Sequence, residues 1–242
     1  MFTDLHIHLL YGCDDGAKTQ QEMFDMLNQE YEDGVRVICV TPHFHPGYFG
    51  DNEQSTLSSF YRLVQYASKY PNLELYLGNE LHFSRNCMQW VLDGKCHTLN
   101  NTDYILVDFS MNEDKKEIVH GCSMLLNGGY IPVLGHVERY EKMDLKTVQS
   151  LKKEGVIMQM DTQSILGEFG LKTKMRSKKY LSKDCIDLIS SDAHDLKRRI
   201  PGMSKCYEVI KKVYGKDYAD MVCFYNGLNI LKGREIWNNK DK

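Results

Sequence analysis

The chain has 242 residues, 42% of them hydrophobic, with a formal charge of −3 and a pI near 6.3. That length and apolar content favour one domain with a sizeable core, expected over residues 1–242, and the acidic balance disfavours nucleic acid as a partner. The start, Met1-Phe2-Thr3-Asp4, lacks signal-peptide character and no apolar stretch approaches bilayer length, so a soluble, cytoplasmic protein without membrane insertion is expected.

In chain order, the first β-rich run covers residues 2–7 and ends in Asp4-Leu5-His6-Ile7-His8. After Asp14-Asp15-Gly16, Thr19 followed by Glu22 is a capping-box signature for a helix carrying Met23, Leu27 and Tyr31, and Gly34 suits its left-handed end. A second run, 35–40, leads to Thr41-Pro42-His43, and Leu57, Phe60, Val64 and Ala67 mark the next helix. The third run, 73–77, leads to Gly78-Asn79-Glu80. Residues 82–103 form an insertion in which Asp93-Gly94 predicts a ribbon, or a short helix plus turn.

Runs 104–107 and 130–134 end in Val107-Asp108-Phe109 and Gly135-His136-Val137-Glu138-Arg139. Asp144 caps a helix through Leu145, Val148 and Leu151 that Gly155 closes, then runs 156–160 and 185–189 follow, the last leading to Ser191-Asp192-Ala193-His194. The segment after Gly233 is polar and expected to fray, with Ile236 and Trp237 as docking candidates. Seven strands alternating with helices indicate a parallel sheet. A Rossmann sheet gathers its site at one crevice, whereas here nearly every strand ends in a polar residue suited to chemistry, which favours a barrel.

The eight cysteines, at 13, 39, 87, 96, 122, 185, 206 and 223, contain no Cys-x-x-Cys pair and read as reduced, packed thiols. Five histidines and four carboxylates close the strands, and their types are those of a metal centre. His6 and His8 share a strand face because side chains repeat every second residue, and Asp192 and His194 repeat that spacing. Glu80 offers two oxygens for bridging two cations; Asp108 and His136 can complete a second site, and Asp15, His43 and His194 a third. Imidazole and carboxylate without thiolate suit manganese, iron, zinc or magnesium.

These motifs, from Asp4-Leu5-His6-Ile7-His8 and Asp14-Asp15-Gly16-Ala17-Lys18-Thr19 through Ser191-Asp192-Ala193-His194, resemble the polymerase and histidinol phosphatase (PHP) family. Within it, the Asp-Asp-Gly-Ala-Lys and His-Val-Glu-Arg segments resemble the bacterial metal-dependent tyrosine-protein phosphatases of capsule and exopolysaccharide systems. The resemblance implies an α/β fold, a distorted (β/α)7 TIM-like barrel with its metal site at the C-terminal ends of the strands. It implies three divalent ions, usually manganese, and phosphotyrosine on a cognate bacterial tyrosine kinase as substrate. It places His6, His8, Glu80 and Asp192 on the first metal, Glu80, Asp108 and His136 on the second, and Asp15, His43 and His194 on the third, with Arg139 binding phosphate. Position 108 is aspartate where these phosphatases more often carry glutamate, and the segment 44–50 departs from their loop.

The expected mechanism follows from charge: a water bridging two cations loses a proton near neutral pH and attacks phosphorus in line, while Arg139 offers its donor fork to the phosphoryl oxygens. Outside this set, His45 is a candidate leaving-group acid and His82 a candidate for the mouth, though exposure is the commoner role of such histidines; His97 and His120 read as structural. Asp14 is expected to order its turn and Asp4 to orient a ligand histidine. Tyr11, Tyr48, Phe49 and Phe83 are candidates for an aromatic rim, with packing the commoner role. The bland reading of Arg139 is a salt bridge to Glu138 or Glu141. Cys13 has no partner base, which disfavours a cysteine mechanism. Competing functions are a small-metabolite phosphatase of the same fold, such as one for histidinol phosphate, or a non-catalytic metal-containing binding module.

Overall fold

The computed structural model describes residues 1–49 and 53–236. Nine short parallel strands are present: β1 Phe2–Asp4, β2 Val35–Val40, β3 His43–Phe44, β4 Glu74–Leu77, β5 Glu80–His82, β6 Tyr104–Asp108, β7 Ile131–Leu134, β8 Ile157–Asp161 and β9 Leu188–Ser190. β2 pairs with β4 as β3 pairs with β5. Gly78 N donates to Val40 O (2.9 Å) and Glu80 N to Pro42 O (3.1 Å), so the ladder continues across both interruptions. The nine segments therefore trace seven strand lines, ordered β1, β2/β3, β4/β5, β6, β7, β8, β9.

Closure is confined to the rim. Ile7 bridges Ala193, with His8 N donating to Ala193 O (2.9 Å) and Asp192 N to His6 O (2.8 Å). Below that rim the seam between β1 and β9 is packed by a π turn, Met221–Tyr225, and the Thr3 hydroxyl donates to Cys223 and Phe224 carbonyls at 3.4 Å. The seven-strand barrel is thus distorted at one seam, as the resemblance implies.

The helices of the outer layer include α1 Gln20–Glu32, α2 Glu53–Ala67, α3 Cys87–Leu92, α4 Lys115–Asn127, α5 Leu145–Lys153, α6 Thr162–Leu166, α7 Leu171–Leu181, α8 Met203–Tyr214, α9 Lys216–Asp220 and α10 Asn226–Leu231. Thr19 Oγ1 accepts Glu22 N (3.1 Å) at the start of α1, while the Glu22 carboxylate reaches back to Lys18 N, one residue before the cap. Asp144 accepts Thr147 N (2.9 Å), and Gly34 and Gly155 adopt φ of 98° and 99°. The insertion contains α3 and a 3-10 turn, Leu99–Asn101, so the helix alternative holds. The ribbon does not form, because Gly94, at φ 72°, ends α3 instead of turning a hairpin. The last strand is shorter than the sequence run, with residues 185–187 outside it; the first is formal only to Asp4. Ile236 packs on the inner core cluster, and Trp237 lies outside the described residues.

The barrel interior is layered. Leu5, Val37, Cys39, Leu106, Val133, Ile157 and Leu188 form an apolar cluster closed below by Ile230 and Leu231 of α10. Two residues further along three of these strands stand Asp108, Gln159 and Ser190, because inward positions recur with period two. The apolar layer supports the polar one. Gly227 seats α10 against β1, where an added Cβ would overlap the Thr3 hydroxyl and lie 2.8 Å from its Cβ. Gly227→Ala is expected to destabilise by about 1–3 kcal/mol through this overlap. Thermal unfolding should show Tm lowered by several degrees, and an unchanged Tm would mean that this approach is not tight.

Candidate metal centre at the barrel mouth

Glu80, on β5, is 1% exposed and central. Its Oε1 lies 3.1 Å from both His6 Nε2 and His136 Nε2, and its Oε2 lies 3.2 Å from His8 Nε2 and 2.8 Å from His43 Nδ1. Asp192 Oδ1 lies 3.3 and 3.4 Å from the Nε2 atoms of His6 and His8. Asp15, half exposed, lies 3.4 Å from His43 and from His194. Three groups have ligand atoms within 4.8 Å of one another: His6, His8 and Glu80; Glu80, Asp108 and His136; and His8, Asp15, His43 and His194. All nine sequence candidates therefore come together at the mouth, and His8 adjoins the third group as well as the first.

The backbone is bent to achieve this. His136 and Asp192, just past β7 and β9, sit at φ 36° and 52°, a region costly for residues with a Cβ and recurrent at functional sites. His136 N is held by Gln159 Oε1 (2.6 Å) and Asp192 N by the His6 carbonyl. Gly16 lets the Asp14-Asp15 turn press on the first strand line, since a Cβ there would lie 2.6 Å from that of His8.

Supporting side chains fix the rings. Asp14 Oδ2 lies 2.7 Å from His8 Nδ1 and accepts His43 N (2.9 Å), while its Oδ1 accepts Gly16 N (2.8 Å). Gln159 Oε1 lies 3.2 Å from His6 Nδ1. With Nδ1 donating in each case, Nε2 presents its lone pair to the cluster. Asp4 Oδ1 accepts the backbone N–H groups of His6 (3.2 Å) and Ser191 (3.1 Å), tying the two ligand-bearing segments together; burial pushes its carboxyl up to about 6.

His6 Nε2, His8 Nε2, Glu80 Oε2, Asp192 Oδ1 and His194 Nε2 are buried without a hydrogen-bond partner. Orphaned buried acceptors are costly, and divalent cations among them would satisfy all five. The donor set, all imidazole and carboxylate, fits such ions.

Arg139 does not pair with Glu138 or Glu141. Its NH1 donates to Asp192 (2.9 Å) and Asp161 (3.3 Å), and its guanidinium lies over the Phe169 ring, 4.8 Å from the centroid. Glu138 instead points inward and accepts Asp161 N (3.1 Å), with burial and then Asp161 pushing its carboxyl up to about 8. Arg199 also donates to Asp192, and both arginines are about one-quarter exposed, at 22% and 26%.

Three supporting residues escape the sequence reading: Gln159, Asp161 and Arg199. The alternation Ile157, Gln159, Asp161 is the signal for two of them, being polar at inward positions of a buried strand. Among the remaining histidines, His82 Nδ1 lies 3.1 Å from Asp108 and its ring stacks on His45 at 4.1 Å. His97 adjoins Asn79, and His120 is exposed on α4. Phe49 stacks on His43 and Tyr48 contacts His45, whereas Phe83 packs on Phe109 and Tyr11 on the outer core. Burial pushes the Cys13 thiol up to about 11, which suppresses the thiolate a cysteine mechanism needs.

A family model described as capsular polysaccharide synthesis, CpsB/CapC, matches residues 2–232. The chain belongs to the CpsB/CapC family. One family relative, the tyrosine-protein phosphatase CpsB of Streptococcus pneumoniae, is 30% identical over 241 residues, covering 96% of this chain and 99% of that one. A solved structure from work on YwqE of Bacillus subtilis and CpsB of S. pneumoniae, described as unique metal-dependent tyrosine phosphatases, superposes with a TM-score of 0.90 at 25% identity, covering 98% and 97% of the two chains. Histidinol phosphate phosphatase from Lactococcus lactis gives a TM-score of 0.59 at 12% identity over 90% and 93%, a likeness of fold alone. This CpsB/CapC chain thus has the PHP-like barrel that its motifs imply.

Protonation competes with metal at these atoms. Burial disfavours the charged form of His6, but Glu80 and Asp192 outweigh it and push its pKa up to about 9; for His43, Glu80 outweighs burial and the pKa rises to about 10. His194, lowered to about 4 by burial and by His8, is already neutral. In the metal-free protein, protonated His6 stabilises the fold fully below its unfolded pKa near 6.5, and that contribution fades as pH rises through about 9. Cation binding requires the neutral rings, so affinity runs the other way and increases with pH. His8 is raised as well, Asp14 outweighing burial, so adding Mn2+ to metal-free protein at pH 7.5 in weak buffer is expected to release about two to three protons per chain, read with a pH dye. Loading without proton release would contradict the assignment of His6 and His43.

Proposed function

We propose that the chain is a metal-dependent phosphomonoesterase that hydrolyses phosphotyrosine in protein. The observation that carries this reading is the convergence of His6, His8, Asp15, His43, Glu80, Asp108, His136, Asp192 and His194 around one point, with Arg139 beside it. The family membership and the names of its relatives support it. We infer three divalent ions, manganese being the first candidate and iron, zinc or magnesium the others. His6, His8, Glu80 and Asp192 would hold one, Glu80, Asp108 and His136 another, and Asp15, His43 and His194 the third. Such cations supply Lewis acidity, neutralising phosphoryl oxygens and making water acidic enough to act as nucleophile near neutral pH.

The protein's own residues do the positioning. Arg139 and Arg199 are anchored on Asp192 and partly exposed, so their free N–H groups are available to equatorial phosphoryl oxygens, where charge gathers in the transition state. Asp161 and the Phe169 ring hold the Arg139 plane in place. Asp14 and Gln159 keep His8 and His6 in the tautomer that leaves Nε2 free. A phenolate leaving group, with an intrinsic pKa of about 10, departs with less proton donation than an alkoxide would need. That favours aryl phosphates and asks little of His45 or His82.

The inferred substrate is the phosphorylated tail of a cognate bacterial tyrosine kinase controlling capsular or exopolysaccharide synthesis, a reading supported by the family description. Eight free cysteines, seven of them buried, support a reducing, cytoplasmic setting, and no described helix is long and apolar enough to cross a membrane. Metabolite hydrolysis has only the fold in its favour. Manganese-loaded protein is expected to release phosphate from p-nitrophenyl phosphate and from a phosphotyrosine peptide, and His6→Ala/His8→Ala to release none. Arg139→Ala should keep its metal, by elemental analysis, and lose about a hundredfold or more in kcat. Near-normal turnover would remove Arg139 from the mechanism.

A further inference from the structure

A second concavity opens away from the metal centre. Between α7 and α8 lies a cavity of about 390 Å3 whose apolar lining includes Ile165, Leu166, Leu181, Val209, Ile210 and Val213. Of its lining, Val209 and Val213 are 40% and 63% exposed, and α7 carries two further exposed apolar residues, Leu171 and Met175, at 73% and 63%. Contiguous exposed apolar surface of this kind usually marks an interaction site.

Charge says what kind of partner. Residues 171–183 contain six lysines or arginines and no acid, and residues 203–216 four lysines against one glutamate, in a chain of net charge −3. Two of these cations serve the fold: Lys174 donates to the Leu166 carbonyl (2.9 Å), and Arg176 to the Glu138 and Tyr140 carbonyls. Lys172, Lys178, Lys179 and Lys212 are exposed, and among the described residues no carboxylate pairs with them. Lys178 lines the groove itself, and no Asp or Glu does. An apolar lining that carries the unpaired Lys178 ammonium, on two helices with further unpaired lysines, complements a segment with apolar side chains on one face and carboxylates on the other. A slot between two helices takes a ridge of side chains, as in helix-in-groove recognition, better than it takes the flat surface of a bilayer.

The groove also adjoins the mouth. Leu166 at its upper end precedes Phe169 by three residues, and Phe169 lies under Arg139 and shares a wall with His194 and Arg199. A chain whose phosphotyrosine is in the mouth can therefore lay a neighbouring segment between α7 and α8. We propose that this groove binds an acidic, amphipathic segment of the protein whose phosphotyrosine enters the metal centre, so that the substrate is held at two places. The proposal rests on the phosphotyrosine reading for what fills the mouth, but groove binding itself needs no turnover.

The test uses a fluorescein-labelled peptide with an amphipathic Glu/Leu segment next to tyrosine, its phosphotyrosine form, and a control with Lys in place of Glu. Full-length protein, Lys178→Glu and Val213→Asp are compared by anisotropy and by kinetics, both substitutions being at exposed positions. The unphosphorylated Glu/Leu peptide is expected to bind the parent protein and to lose roughly tenfold in affinity to each variant. KM for the phosphopeptide should rise by a similar factor while kcat and p-nitrophenyl phosphate turnover stay unchanged. Equal affinity for the Glu and Lys peptides, or no effect of either substitution, would overturn the proposal. Binding to phosphatidylglycerol vesicles that the same substitutions abolish, without peptide binding, would overturn it in favour of a lipid surface. Variant-sensitive peptide binding without hydrolysis of the phosphopeptide would support the groove and sink the phosphotyrosine reading instead.

Discussion

Glu80 is buried with four imidazoles within 3.2 Å of its two oxygens, and Asp192 stands close by with a free oxygen facing His6 and His8. So many donor atoms are held in a low dielectric only where positive charge is supplied, by protons in the metal-free protein or by divalent cations in the loaded one. This requirement explains much of the surrounding architecture. Both oxygens of Glu80 are faced by rings from three other strand lines, so those lines converge on this carboxylate. The Ile7–Ala193 bridge, where the first and last strand lines meet at the rim, lies between the candidate pairs His6/His8 and Asp192/His194.

The barrel delivers this cluster by a simple division of labour along each strand. Inward residues are apolar in the lower half, where Leu106, Ile157 and Leu188 pack, and polar in the upper half, where Asp108, Gln159 and Asp192 reach the mouth. Left-handed backbone at His136 aims a side chain that a regular strand, inward at Val133, would direct elsewhere. Arg139 and Arg199, each about one-quarter exposed, both donate to Asp192, so the carboxylate that faces His6 and His8 also holds two guanidinium groups beside the candidate metal centre. The groove between α7 and α8 extends the same surface toward a protein substrate, through the loop that carries Phe169.

Much of this was legible because polar residues interrupt apolar runs at their ends. His6 and His8, Glu80, His136 and Asp192 stand out against strands that are otherwise buried, and that contrast was enough to predict a barrel with these side chains gathered at one end. What escaped depends on tertiary context. Gln159 lies within the run 156–160, read as a packed strand, and Asp161 just past it, and only the closed barrel shows that they face His6 and Arg139. Arg199 returns to Asp192 because the turn after His194 folds back, with Asp195 accepting Lys197 and Arg198 N–H groups and His194 N donating to Arg199 O. Asp93-Gly94 carries a hairpin signal, yet α3 reaches it first, and Gly94 serves as a helix terminator. Salt bridging of Arg139 to its sequence neighbour Glu138 failed for the same kind of reason, since Glu138 is drawn inward to Asp161.

Whether divalent cations gather around Glu80 can be read by anomalous diffraction at the manganese edge from crystals of the manganese-loaded protein. Peaks are expected clustered around Glu80, each within coordination distance of about 2.0–2.3 Å of the named imidazole and carboxylate atoms, with at least two sharing that carboxylate. A map with no peak near Glu80, or with ions held only by surface carboxylates away from His6, His136 and Asp192, would contradict that expectation.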